Sequence, residues 1–513
     1  MNRKSYWTVL REDIFKNRIL LLAVCMTAIL SFGFTVTNYS IGVDDPMRDY
    51  YLYSQNYGNM VQQGRLTQLA INFLTNSVDF IPFFTEFTGA ALFTLSALLF
   101  CGLFQYVTDG RFSTLALAAF SCIYLSYPIT ADKFLYHLDV IAVMVSYCCT
   151  ALSLMYAYRF IYQEKNRKNF AAAALLLMTA AGSYESFLFL YFCGVFGLFL
   201  LRLVIRKESL TFRQILLEGL QYAAILLTAM AVYYLLVFLL QLITGQLGQF
   251  SRIGNLHQEG AGLVQSLIIS AKSTLVRMLD LFVNGNLAVR EFAAAGILGS
   301  ILFLVLAVKR RNAWIFLCFL ALAGGNLLIF LFLTTFITRA AQTFCFFLGF
   351  LALMLVWLLD SIPALRKVLI LLLVLLTVRQ AADMNRSFFT DYTRYQQEVY
   401  TIHTVANRLI GGFDISKPVI FTNEPEFQYL QAGLHPATGQ DAGVSMIYWS
   451  LTTGSERTQY ILGEIFKLHG YDFLVSPTPE QCFAALELSQ DMACWPHRDS
   501  IQEFDNFIIV NFG

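Results

Sequence analysis

Charge is what this sequence has least of. Only 13% of its 513 residues are Asp, Glu, Lys or Arg, roughly half the share of an average soluble domain. That deficit excludes a water-soluble globular protein. Apolar residues fill it: 57% of the chain is hydrophobic and 47 residues are phenylalanine, the composition of an integral membrane protein. The formal net charge of +1 says little about partners, because in a bilayer the placement of charge is informative and its sum is not. No nucleic-acid signature appears, so no such partner is expected. Cysteine is scarce outside the apolar stretches. Eight of the ten fall in predicted spans, where a thiol acts as a small packing group. Only Cys482 and Cys494 lie beyond them, and a bridge between these two is left open. C-x-x-C and H-E-x-x-H spacings are missing, and the sequence demands neither metal nor cofactor.

Long apolar runs are abundant instead. Stretches of the length that crosses about 30 Å of hydrocarbon predict eleven helices, at 19–37, 86–107, 113–131, 140–162, 170–184, 187–205, 215–243, 291–308, 313–334, 341–359 and 367–379. The run at 170–184 is short and ends in Gly182 and Ser183. Basic residues cluster at alternate ends: Arg3, Lys4, Arg11, Lys16 and Arg18; Lys165, Arg167 and Lys168; Arg206, Lys207 and Arg213; Lys309, Arg310 and Arg311; Arg366 and Lys367. Since Lys and Arg stay on the cytoplasmic side, residues 1–18 are read as a cytoplasmic lead and 19–37 as a retained anchor. An odd number of spans then puts the C-terminus outside, with the loops at 38–85, 132–139, 244–290 and 335–340. The transmembrane part is thus 19–379. From 380 to 513 charged residues, Pro, Gly and Asn return, enough chain for a small domain. "KPVIFTN" (417–423), "YDFLVS" (471–476) and "NFIIVNF" (506–512) read as strands, and 388–410, 455–468 and 479–490 as helices. The expected fold is an all-α polytopic bundle carrying a small extracytoplasmic α/β domain.

The first outer loop, 38–85, holds the most chemistry. In "SIGVDDPMRDYY" Asp44 and Asp45 stand side by side, followed by Pro46. Tyr50, Tyr53, Tyr57, Met60 and Val61 recur at helical spacing opposite Arg48, Ser54, Asn59 and Gln62, a pattern suited to a helix lying on the membrane surface. Pro46 can begin that helix, with Asp45 as its N-cap. Adjacent side chains diverge, so the two carboxylates do not converge on one atom: Asp44 is read as a general base and Asp45 as the residue that caps and positions. With a pKa near ~4 an aspartate is ionised at neutral pH and can accept a hydroxyl proton.

The basic lead, the first span, the S-I-G-V-D-D loop, an interfacial helix ending in Gly64 and Arg65, the many spans and the small outer domain together resemble the bacterial polytopic glucosyltransferases of the GT-C superfamily, which decorate O-antigens and other cell-surface polymers. The resemblance implies a catalytic aspartate in the first outer loop. It also implies a polyprenyl-phosphate-linked sugar donor, an extracytoplasmic glycan acceptor and a multi-pass protein of the bacterial plasma membrane in contact with membrane lipid.

On that reading Arg65 holds the lipid phosphate, against the plainer alternative of a surface salt bridge. Lys133, in "TADKFLYHLD", supplies a second phosphate contact, while His137 in the same segment is more often a structural hydrogen-bonding residue. Arg339 lies between two apolar spans on the outer side, against the basic-inside trend, where it serves as a phosphate ligand or snorkels to water. Tyr184 and Glu185 sit at the turn after the short fifth span. Glu185 binds sugar hydroxyls or balances Arg339 or Lys133, unless it is a plain exposed turn residue. Two rival readings are a lipid-linked polysaccharide polymerase or ligase, for which an outer loop rich in Arg and His is expected, and a flippase or transporter, for which internal repeats or charged spans are expected.

Overall fold

The computed structural model describes residues 5–42, 57–75, 82–245, 263–333, 336–423, 443, 445–452 and 455–513. Asp44, Asp45 and the predicted interfacial helix up to position 56 lie outside the described residues. After a short helix α1 (Tyr6–Val9), the bundle is built from α2 (Arg18–Thr37), α3 (Tyr57–Gln62), α4 (Leu66–Thr75), α5 (Pro82–Thr108), α6 (Thr114–Ser126), α7 (Ala131–Phe134), α8 (His137–Tyr162), α9 (Arg167–Ala181) and α10 (Ser186–Leu200). It continues with α11 (Phe212–Ile243), α12 (Leu263–Val283), α13 (Leu287–Arg310), α14 (Ala313–Phe332), α15 (Phe344–Leu358) and α16 (Pro363–Gly412).

Seven of these helices are long and apolar enough to cross a bilayer, or eight if α6 and the Pro128–Phe134 segment, bent by 46°, form one broken span. The expectation of eleven is therefore too high. α9 and α15 have 15 residues each, which at about 1.5 Å per residue rise some ~22 Å, short of the ~30 Å hydrocarbon core. The predicted span at 367–379 is the start of α16, a single helix of 50 residues that runs without interruption past position 380 and absorbs the helix predicted at 388–410. The stretch 132–139, expected as an outer loop, is instead helical and largely buried. Tyr127 leaves the helical region ahead of Pro128, because a proline disfavours the α conformation in the residue before it.

Aromatic packing fills the centre. Phe100 meets Phe346 at 5.0 Å between ring centroids and Phe104 meets Phe120 at 4.9 Å. α15 approaches α6 so closely that a Cβ on Gly349 would lie 2.9 Å from the Phe120 carbonyl oxygen. The basic clusters at 165–168, 206–213 and 309–311 fall where α8, α10 and α13 end, and the pair at 366–367 lies in the first turns of α16, so connectivity places them all at one end of the bundle. The start of α8, the turns from α9 to α10 and from α14 to α15, and the far half of α16 lie at the other.

Beyond that other end the chain forms α17 (Met446–Thr452), α18 (Ser455–Leu468), α19 (Pro479–Leu488) and a three-stranded sheet of β1 (Val419–Thr422), β2 (Ile501–Glu503) and β3 (Ile508–Asn511). The order is β1-β3-β2, with β1 parallel and β2 antiparallel to β3. Residues 471–476 form no strand, so that expectation fails, while α18 and α19 fall where helices were expected. The sheet is covered on both faces, as its unbroken apolar strands require. Alternation along the strands sends Val419, Phe421, Ile508 and Val510 against Ile402, Val405 and Leu409 of α16. Ile420 and Ile509 face Cys482 and Ala485 of α19. Cys482 is buried and Cys494 exposed, and the two are not bridged.

One buried cation ties these parts together. Arg394 of α16 is fully inaccessible to solvent. It donates to Glu398 at 2.7 Å, to both oxygens of Asp391 at 2.8 and 2.9 Å, and to the carbonyl of Ile41 at 2.7 Å. Glu398 in turn accepts from Ser445 Oγ at 2.6 Å and the Ile447 amide at 3.1 Å, and Asp391 accepts from the Gly443 amide. The guanidinium thus joins the end of the first span, α16 and the chain entering α17.

Removing one member of a buried ion pair strands the others, at a cost of about 3–5 kcal/mol. Arg394→Met is therefore expected to lower the thermal midpoint of the purified protein markedly, measured by scanning fluorimetry in detergent, whereas Arg386→Met, with an exposed guanidinium 3.6 Å from Asp383, should change it little. A pH effect follows from His469, whose imidazole pKa is pushed below its ordinary value by burial and by the neighbouring His403. The fold binds the neutral ring, so its contribution is fully present above about pH 6.5 and is lost as pH falls through the depressed value. His469→Gln should flatten the midpoint-against-pH curve on the acid side.

Candidate active site

The breaks between helices at the end facing the sheet domain converge on a small cavity of about 120 Å3, walled by Met60, Gln63, Arg65, Gln68, Tyr136, Leu138, Asp139, Tyr184 and Arg339. Several wall residues owe their place to local interruptions of the helices. Gly64 adopts φ +69°, a left-handed conformation that glycine takes without steric cost, and so turns α3 into α4 at Arg65. Its carbonyl accepts from Tyr233 of α11 at 2.9 Å. Thr67 anchors α4 on the end of α9: its amide donates to the Gly182 carbonyl at 2.9 Å and its hydroxyl to the Thr179 carbonyl at 2.7 Å. Asp139 lies in the first turn of the 26-residue α8, where the positive end of the helix dipole favours a carboxylate.

Asp139 is the polar hub. Tyr184 donates its phenolic proton to Oδ2 at 2.7 Å, Gln68 donates its amide to Oδ1, and Arg65 stands 3.6 Å away. Arg65 also donates to Gln68 Oε1 at 3.3 Å. On the far wall Arg339, in a single helical turn Thr338–Ala340 between α14 and α15, donates to the Tyr136 hydroxyl at 2.8 Å. Lys133 lies behind the wall with its Nζ 4.2 Å from the centre of the Tyr184 ring, and Arg65 lies 4.8 Å from the same ring. The charged neighbours of Lys133 are Asp139, Arg339, Asp132 and Arg65. Its ammonium is buried and has no hydrogen-bond partner among the described residues.

The structure thus gathers Arg65, Lys133, Tyr184 and Arg339 around one space. It sets two other sequence-derived residues apart. His137 is buried in a pair with Glu86, Nε2 to Oε1 2.7 Å, and neither lines the cavity. Glu185 begins α10 beside Tyr184 but is not part of the cavity wall. Asp44 and Asp45 are outside the described residues. Sequence reasoning assigned no role to Asp139, Gln68, Tyr136 or Glu86. Asp139 and Glu86 carried a usable signal, each being an ionisable residue at the edge of an apolar span. Gln68 and Tyr136 carried none, since their place depends on how α4 docks and where α8 begins. Among the described residues no group of three or more His, Cys, Asp or Glu could hold a metal ion.

Two guanidiniums and one ammonium stand near two carboxylates, Asp139 and Asp132, with two phenols between them, a set rich in hydrogen-bond donors. A bundle of apolar helices enclosing such a cavity at one end defines a membrane protein with a polar, charge-lined site among its helix breaks. The class is made specific by the match of residues 33–356 to the family model described as glucosyl transferase GtrII, a range containing every residue of the cavity wall. The chain belongs to that family, and with its helical bundle it is a membrane glycosyltransferase of the GT-C type. No curated protein and no solved structure matches the chain significantly.

The docking of α4 on α9 is tested at Gly182, where a Cβ would fall 2.6 Å from Thr67 Oγ1 and 3.2 Å from the Thr67 amide. Gly182→Ala is expected to push α4, and Arg65 with it, out of register. Misplacement on the order of 1 Å can cost up to about 10²-fold in rate, so sugar transfer by membranes carrying the variant should fall at unchanged protein level. Gly296→Ala, where a Cβ meets nothing within 4 Å, should not alter it.

Proposed function

We propose that the protein transfers a hexose, specifically glucose, from a polyprenyl-phosphate donor to a cell-surface glycan outside the bacterial plasma membrane, with inversion at the anomeric carbon. The observation that carries this is the pair Arg65 and Arg339 in the wall of one cavity, with the buried Lys133 ammonium, lacking a hydrogen-bond partner among the described residues, directly behind the Tyr184 ring of that wall. Asp139 and Asp132 offset part of the cost of burying this cation, and the phosphate of the donor supplies the acceptor oxygens that its ammonium lacks. Family membership supports transfer over the polymerase, ligase and flippase readings.

Sidedness is supported by the basic clusters, which lie at the end of the bundle opposite the cavity. Lys and Arg mark the cytoplasmic side, so the cavity and the sheet domain, residues 380–513, face outward. The span count no longer contributes, since its parity rested on eleven helices.

In the reaction, an acceptor hydroxyl attacks the anomeric carbon from the face opposite the phosphate. As the new C–O bond forms, the hydroxyl proton passes to Asp44, and the bond between the anomeric carbon and the phosphate oxygen breaks with its electron pair on the departing lipid phosphate. Arg65, Lys133 and Arg339, steadied by Asp139, Gln68 and Tyr136, meet the negative charge that grows on that oxygen. Asp45 is assigned the positioning role beside the base. Chain connectivity supports this arrangement. The loop bearing both aspartates leaves the Arg394 hub at Ile41 and returns as α3, whose Met60 reaches the cavity wall.

With synthetic polyprenyl-phosphate glucose and isolated membranes, Asp44→Asn should lower the rate by about 10²–10⁴-fold, the usual worth of a general base, and Asp45→Asn by less. Full activity in both variants would overturn the assignment. Arg339→Met and Lys133→Met should each raise the half-saturating donor concentration about tenfold or more, as loss of a charge-assisted contact predicts. A change in acceptor saturation alone would exclude the phosphate role.

A further inference from the structure

Beyond the bundle, α16 and the corner at Trp495 and Pro496 enclose an open groove of about 670 Å3. That is within the roughly 300–1,000 Å3 of small-molecule sites. The helix contributes Thr393, Gln396, Gln397, Tyr400 and Thr401, a face on which Thr393, Gln397 and Thr401 follow one another at four-residue spacing and Gln396 stands one turn before Tyr400. Tyr400 is 73% exposed, far more than a tyrosine at rest against its own protein. Gln396 and Gln397 are exposed as well, which leaves two primary amides, each with donors and an acceptor, open to a ligand. The opposite wall is fixed in advance. Arg408 stacks 4.6 Å from the centre of the Trp495 ring and donates to the carbonyls of Pro496 and His497 at 3.3 Å, clamping the corner onto α16.

Chemistry selects the occupant. No residue lining the groove is charged, in contrast to the cationic cavity, so a phosphate, a nucleotide or an acidic peptide finds no complement here. The exposed Tyr400 ring, which can accept the apolar face of a pyranose, beside amides and hydroxyls that pair with its hydroxyl groups, suits a neutral sugar chain; Trp495, buried, forms the floor of the corner. Position separates the groove from the bilayer. Gln380 accepts from Ser126 at the end of α6, inside the bundle, and Gln396 follows sixteen residues later on the same unbroken helix, about 24 Å along its axis at ~1.5 Å per residue. The groove also lies outside the residues matched to the family, 33–356, on a part of the chain that can differ between proteins sharing one donor.

We propose that this groove binds a neutral oligosaccharide segment of the acceptor glycan and holds the chain while its modified end reaches the cavity; the assignment rests on the transferase reading above. Two arms test it with the full-length protein in lipid nanodiscs, the probe being the neutral cell-surface polysaccharide extracted from the native host. In the binding arm, retention on the immobilised polysaccharide should weaken about tenfold or more in Tyr400→Ala and in the double variant Gln396→Ala/Gln397→Ala, all exposed positions whose loss leaves the core intact. In the transfer arm, the half-saturating acceptor concentration should rise by a similar factor, with the donor's unchanged and the maximal rate retained. Equal retention by wild type and variants, or no retention by wild type, overturns the groove assignment. So does reduced partition of Tyr400→Ala into phosphatidylglycerol vesicles with polysaccharide binding unchanged, which would give the face to the bilayer. If wild type binds, the variants do not, and no glucose is transferred, the groove stands and the transferase reading falls.

Discussion

Asp139 makes the gathering of positive charge tolerable. Cations removed from water cost several kcal/mol each unless they are paired and hydrogen-bonded, and Arg65 and Arg339 line one small space at the edge of an apolar bundle, with Lys133 just behind its wall. The carboxylate draws in Arg65, Gln68 and the Tyr184 hydroxyl, which fixes α4, α8 and the turn into α10 relative to one another. Asp132 lies beside Lys133 as a second carboxylate. On the proposed reading, the phosphate ester of the donor joins this network of donors and charges.

The fold supplies this by breaking helices at a common level. Arg65 lies between α3 and α4, Lys133 in the short α7 after Pro128, Asp139 in the first turn of α8, Tyr184 between α9 and α10, and Arg339 between α14 and α15. Within a membrane protein, irregular backbone is tolerated where it is buried in protein or lines a cavity. Short helices α9 and α15 serve the same end, since a helix that stops early brings its terminus down among its neighbours. Arg394 bonds the carbonyl of Ile41, just past the first span, to α16.

Much of this was legible in the sequence. Composition gave the membrane class, and Arg65, Lys133, Tyr184 and Arg339 stood out as polar groups beside apolar runs; the structure brings all four together. Helix count was misjudged because a hydropathy run shows where apolar residues are, not where a helix stops: α15 and α9 are too short, and the last run is one end of the 50-residue α16. The segment 132–139 looked like a loop because Lys, His and Asp are crowded into it. Tertiary pairing overrides that signal, with His137 buried against Glu86 and Asp139 against Tyr184. A strand at 471–476 was expected from its apolar residues, yet Tyr471 is drawn instead into a hydrogen bond with His403 at 2.7 Å. Arg394 gave no sign at all, since its burial depends on Ile41, which lies 353 positions away.

The central claim is that the cations in and behind the cavity wall hold a lipid phosphate. The most direct measurement is native mass spectrometry of the purified protein with polyprenyl phosphate lacking any sugar, which isolates phosphate recognition from transfer. Wild type is expected to retain the lipid through detergent removal and Lys133→Met to lose it, with a polyprenyl alcohol of the same chain length retained by neither. Equal retention of phosphate and alcohol, or of phosphate by both proteins, would contradict the account.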